Sequence, residues 1–132
     1  MGPRDTGNFG NSDASDWLYE LEESSGPDVL KEAFKAINGN GYPESPDCCI
    51  ALAAAEVVAA ARGNPSADLP EDLQKWLQDQ DNLNAIKGLA KSAITAVNKV
   101  STKSELRDAW EESDSWHEWL QVVEGLRRRL QA

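Results

Sequence analysis

Between Pro46 and Arg62 the chain reads P-D-C-C-I-A-L-A-A-A-E-V-V-A-A-A-R, and thirteen of these seventeen residues are Ala, Val, Ile, Leu or Cys. A surface helix carries one apolar stripe, whereas a helix that is apolar on every side must be enclosed by other elements. Ser45 suits the N-cap, Pro46 the first helical position and Asp47 the positive end of the dipole, while Gly63 and Pro65 mark the stop. At about 1.5 Å per residue the segment spans about 25 Å, enough to cross a small domain but too short and too rich in alanine to cross a membrane. Its single internal charge is Glu56. A carboxylate in such a place costs free energy unless it is neutralised or given donors. Two roles satisfy that demand: a structural anchor, bonded to the irregular N-terminal backbone or paired with an arginine such as Arg107, or a functional acid in a pocket.

The other segments arrange themselves as partners for this post. Met1 to Asn11 holds three glycines, a proline and no period, so it is an irregular lead-in anchored by Phe9. Asn11 or Ser12 caps a helix from Asp13 to Glu23, with Ala14, Trp17, Leu18 and Leu21 on its apolar stripe. Pro27 and Asp28 open a second helix carrying Leu30, Ala33, Phe34 and Ile37, which ends at Asn38-Gly39-Asn40-Gly41. A short helix from Pro70 to about Asp81 turns Leu73, Trp76 and Leu77 inward. Leu83 to Val100 is the longest amphipathic run, interrupted in propensity by Gly88 and edged by Lys87, Lys91, Lys99 and Lys103. Ser104 to Ser113 forms a shorter helix, and Ser115 with Glu118 has the spacing of a capping box before a last helix that carries Trp116, Trp119, Leu120, Val123, Leu126 and Leu130. The cations Arg127, Arg128 and Arg129 suit the negative dipole end of that helix. No segment alternates as a strand would, so the expected architecture is an all-α, single-domain bundle of six or seven helices around a central apolar one, spanning 1–132 with an irregular stretch at 1–11.

Charge bounds the function. The chain has 23 acids and 13 bases, a net charge of −10. Eleven acids and three bases fall in the first 60 residues, so that half carries −8 of the total. Such a field disfavours nucleic acid and favours a basic protein partner or plain solubility. With no leader-like start and no apolar run of about 18 residues, a cytoplasmic protein is expected. Cys48 and Cys49, adjacent on one helix, are poorly placed for a mutual disulfide and read as small buried hydrophobes.

The chain contains no phosphate-binding loop, dinucleotide fingerprint, H-E-x-x-H or nucleophile elbow, and no cofactor is expected. His117, the sole histidine, sits in the first turn of a tryptophan-rich helix, a packing or surface position. Asp13, Asp16 and Glu20 share a helix face that a hard cation could occupy, although no calcium-type loop accompanies them and no metal is assigned.

Three stretches carry a family resemblance. Gly7-Asn8-Phe9-Gly10-Asn11-Ser12-Asp13-Ala14-Ser15-Asp16-Trp17-Leu18 resembles the G-x-F-x-N-D-x-A-x-D-W/F opening of the small bacterial family catalogued as domain of unknown function 4259. Ala54-Ala55-Glu56-Val57-Val58 resembles its A-A-E-V-V helix, and Leu106-Arg107-Asp108-Ala109-Trp110-Glu111-Glu112 its L-R-x-x-W-E-E end. Arg4-Asp5 departs from the family's Trp-Gly, which implies looser packing of Met1 to Thr6. The resemblance marks Phe9, Asn11, Asp13, Asp16, Glu56, Arg107 and Trp110 as positions of interest and assigns no activity.

Three functional readings follow. The first is a non-enzymatic acidic module that binds, through Asp13, Asp16, Glu20, Glu22 and Glu23, a basic partner, as an immunity-type protein masks a toxin; Glu56, Arg107 and Asn11 are then its buried polar framework. The second is a small metal-dependent or acid/base hydrolase that uses Glu56 with Asp13 and Asp16. The third is a structural homodimer joined through exposed tryptophans.

Overall fold

The computed structural model describes residues 6–24, 27–39, 41–81 and 83–132, and among them every regular element is a helix. These are α1 (Ser12–Glu23), α2 (Asp28–Asn38), α3 (Ser45–Ala61), α4 (Glu71–Gln78), α5 (Leu83–Lys87), α6 (Ala90–Thr102), α7 (Glu105–Glu111) and α8 (Trp116–Gln131). The fold is an all-α bundle. It contains one segment more than expected because the run from Leu83 divides at Gly88 and Leu89, where the weak helix former ends α5 and the chain bends into α6. The looser packing expected of Met1 to Thr6 falls, Thr6 excepted, outside the described residues.

Helix α3 is the post around which the rest is built. Helices α1, α2, α5, α6, α7 and α8 all pack on it, and α4 packs on α1. Cys48, Cys49 and every residue from Ala51 to Ala59 are buried. The small alanines let neighbouring backbones approach closely, while Leu52, Val57 and Val58 supply the bulk. Ile50 is only partly buried, a departure from full enclosure on the face it shares with the half-exposed Asp47.

Both ends of α3 are made by tertiary partners or by special backbone. Ser45 lies inside the helix instead of capping it, and its N–H donates to a Glu105 carboxylate oxygen 2.8 Å away. Glu105 in turn donates its own N–H to the Pro43 carbonyl at 3.0 Å. A carboxylate from α7 thereby takes the position at the helix N-terminus that a local cap would fill. At the other end Gly63 has φ +90°, the Gly63 N–H bonds the Ala60 carbonyl at 3.0 Å and the Asn64 N–H bonds the Ala59 carbonyl at 2.9 Å. This is a Schellman closure, and it needs glycine for its dihedral alone, since a Cβ there would meet no atom within 4 Å.

The remaining caps show what local spacing does and does not secure. Asn11 caps α1 by accepting from the Ala14 N–H at 2.8 Å, and Ser104 caps α7 by accepting from the Arg107 N–H at 3.0 Å. Ser115 makes no capping bond despite its box spacing; at φ −101° and ψ 17° its backbone is not in the extended conformation that such a cap requires.

Leu52, 2 % exposed, is a test of the central post. Leu52→Ala is expected to lower unfolding free energy by roughly 2 to 5 kcal/mol in urea titrations, and a loss under about half a kcal/mol would contradict the enclosure described above.

Candidate functional site

The most concentrated polar chemistry lies where the lead-in, α3 and α8 meet. A turn closed by the Gly10 N–H on the Gly7 carbonyl, at 3.1 Å, carries Asn8 inward and places Phe9 against the core. The Asn8 side-chain amide donates to Glu56 Oε2 at 2.8 Å. Arg129, from the last turns of α8, grips the same carboxylate with both terminal nitrogens: Nη1 to Oε1 at 2.7 Å and Nη2 to Oε2 at 3.1 Å. Asn64, set by the closure of α3, ties in from the third side, its amide donating to the Arg129 carbonyl at 3.1 Å while its own carbonyl accepts from Arg129 Nη1 at 3.4 Å.

Glu56 is 2 % exposed and the Arg129 side chain 26 %. A bidentate pair with three charge-assisted bonds compensates a carboxylate in this position. The partner expected from the sequence is an arginine such as Arg107 or irregular backbone such as the lead-in; the arginine is Arg129, and the lead-in contributes the Asn8 side chain in place of backbone. Arg107 faces away, bonding Asp108 and Glu111 at 3.0 Å each and lying 5.2 Å over the Trp116 ring. Arg107 and Asn11 are half-buried, so neither belongs to a buried polar framework. The arginine triplet is likewise not a uniform dipole-compensating end: Arg129 turns inward, Arg127 pairs with Glu124 and bonds Ser101, and Arg128 stays exposed.

Little around Glu56 offers room for a reaction. The cavity beside it, walled by Asn8, Asn11, Cys49, Leu52, Trp110 and Trp119, holds about 10 Å³, and Glu56 is not part of its wall. That is space for a single water at most. Among the described residues no group of three or more His, Cys, Asp or Glu side chains is arranged to hold a metal, so Glu56, Asp13 and Asp16 are not brought together as one. Burial pushes the Cys49 thiol up to about 12 and the Cys48 thiol to about 11, the latter against an opposing hydrogen bond from Ser104. Both cysteines are free.

The five acids of α1 divide by exposure: Asp16, Glu20 and Glu23 are exposed, and Asp13 and Glu22 are half-buried. None forms an ion pair among the described residues. The tryptophans do not form an exposed dimer surface. Trp17, Trp76, Trp110 and Trp119 are buried, and the half-buried Trp116 stacks on Trp119 at 5.8 Å, which stacks on Trp110 at 6.2 Å. Among the described residues the exposed large hydrophobic side chains are Tyr19 and Tyr42, which sequence periodicity did not single out. Tyr42 is engaged, its hydroxyl donating to Asp108 Oδ2 at 2.7 Å. That bond, and then the Arg107 guanidinium, holds the Asp108 carboxyl below the usual range, and the same bond to Asp108 raises the Tyr42 phenol.

A family model described as domain of unknown function (DUF4259) matches residues 2–122, and the chain belongs to that family. No curated protein and no solved structure matches it. Asn8 and Glu56 lie within the matched region and Arg129 lies beyond it.

The unequal burial of the ion pair predicts an order of effects. Arg129→Met strands a carboxylate in the interior and is expected to cost roughly 3 to 5 kcal/mol. Glu56→Ala leaves a guanidinium that can still reach water and is expected to cost less, roughly 1 to 3 kcal/mol, with Glu56→Gln milder still. Chemical denaturation of the three variants checks the order, and a Glu56→Ala loss exceeding that of Arg129→Met would contradict it. The raised thiols predict that Ellman's reagent at pH 8 leaves Cys48 and Cys49 untouched in the native protein and modifies both after unfolding.

Proposed function

We propose that this member of the family is a cytoplasmic, non-enzymatic binding module whose acidic first helix receives a basic protein partner, in the manner of an immunity-type protein that masks it. The observation that carries the reading is the contrast between paired and unpaired charge. Arg107, Arg127 and Arg129 are committed to carboxylates within the molecule, and Glu56 is consumed by Arg129 and Asn8. The stripe Asp16, Glu20 and Glu23, at helical spacing on the outer face of α1, meets no described cation. In a chain of net charge −10 this stripe adds to a field that attracts cations and repels nucleic acid. Two buried free thiols accord with a reducing compartment. No described helix is long and apolar enough to cross a membrane.

The test pairs a stoichiometric basic protein, recovered on the native chain, with the double variant Asp16→Lys/Glu20→Lys. Charge reversal is expected to slow association on the order of tenfold at low salt while changing dissociation much less, because exposed charges act over about a Debye length of roughly 8 Å before contact. Salt should weaken the parent more than the variant, and both should melt together, since the two positions are exposed. An association rate indifferent to charge reversal and to salt would refute the proposal.

A further inference from the structure

Beside the acidic stripe, a second face of α1 forms one wall of a groove. Ser15, Leu18, Tyr19 and Glu22 stand at i, i+3, i+4 and i+7 and meet Phe9 of the lead-in with Pro70 and Asp72 at the start of α4, around a cavity of about 200 Å³. Phe9 and Leu18 are partly buried against the core and form an apolar floor, while Tyr19 is 70 % exposed. Glu22 and Asp72 are the groove's charged groups, and neither forms an ion pair among the described residues.

We propose that this groove takes the side chain of an arginine or lysine presented by an extended basic segment of the partner protein. The inference rests on the acidic-module reading and gives it a seat. The cavity is smaller than the roughly 300 to 1,000 Å³ of sites for whole small molecules, so it suits a side chain. Its chemistry is that of a long cationic side chain: apolar surface for the methylene stem, an aromatic face for the cation, and carboxylates for the head group. A bare divalent ion does not fit, since two carboxylates over an apolar floor supply too few oxygens for a calcium shell of 6 to 8. Tyrosine is also a residue that interfaces favour, because it offers a large amphipathic contact with little rotamer entropy to lose.

The experiment titrates the full ¹⁵N-labelled chain with a synthetic peptide in which arginine alternates with glycine, and with its citrulline counterpart of equal shape and no charge. The arginine peptide is expected to shift Leu18, Tyr19, Glu22 and Asp72 most, and the citrulline peptide to leave them in place. Tyr19→Ala should weaken binding about threefold to fivefold, and Glu22→Gln/Asp72→Asn about tenfold, with unchanged melting as the check on folding. Shifts confined to Asp16, Glu20 and Glu23, insensitive to Tyr19→Ala, would overturn the groove and leave the acidic face standing. No shift with the arginine peptide at all would overturn both. Groove shifts that arise on concentrating the protein alone, with sedimentation as a dimer, would assign the groove to a second copy and overturn the proposal.

Discussion

A carboxylate inside an enclosed helix demands donors, and much of the tertiary structure is organised by meeting that demand. Glu56 sits on α3 where helices surround it on nearly every side, so water cannot solvate the charge. The chain brings an amide from residue 8 and a guanidinium from residue 129 to the same two oxygens. These three bonds join the lead-in, the central helix and the last helix at one point. The Schellman closure at Gly63 completes the knot, because it places Asn64 where its amide and carbonyl can both reach Arg129. Removing one member of the pair is the costly change, because it leaves the other's charge without its partner.

A second set of bonds secures the opposite end of α3. Glu105 caps the helix, Tyr42 reaches Asp108, and Arg107 lies over Trp116 in a stack that continues through Trp119 to Trp110. The short helix α7 is too short to be stable in isolation. It is held by these contacts and by Leu106 and Trp110 in the core. The two ends of the post are therefore each tied by residues remote in sequence, and the apolar middle fills the space between them.

This arrangement separates the charges into two populations with different consequences. Inside and at the seams, anions and cations meet at bonding distance, where they define structure. Along α1 the carboxylates of Asp16, Glu20 and Glu23 remain in solvent, where they cost little and project a field outward. The proposed binding role draws on this surface without moving any part of the core, and the groove beside Tyr19 adds shape to the charge.

Several features were legible because their physics is local. Apolar residues at helical spacing placed α1, α2, α4, α7 and α8, and the all-round apolarity of the stretch before Arg62 marked the enclosed helix, since burial on every side leaves no position for a polar residue. That Glu56 required a partner was equally determined, because desolvation acts on one residue in its own helix. Which partner it took was not. Arg129 is 73 residues away and stands in a triplet that the helix dipole already explains, so nothing near it in sequence signals an inward turn. A separation of 60 residues likewise hid the cap that Glu105 provides to α3, and the burial of the tryptophans was hidden because their amphipathic rings fit either a core or an interface. Periodicity and the Asn11 and Ser104 caps are set by bonds spanning three or four residues, whereas ion pairs, grooves and the Glu105 cap are set by which surfaces the packed helices leave facing one another, and that choice belongs to the tertiary structure alone.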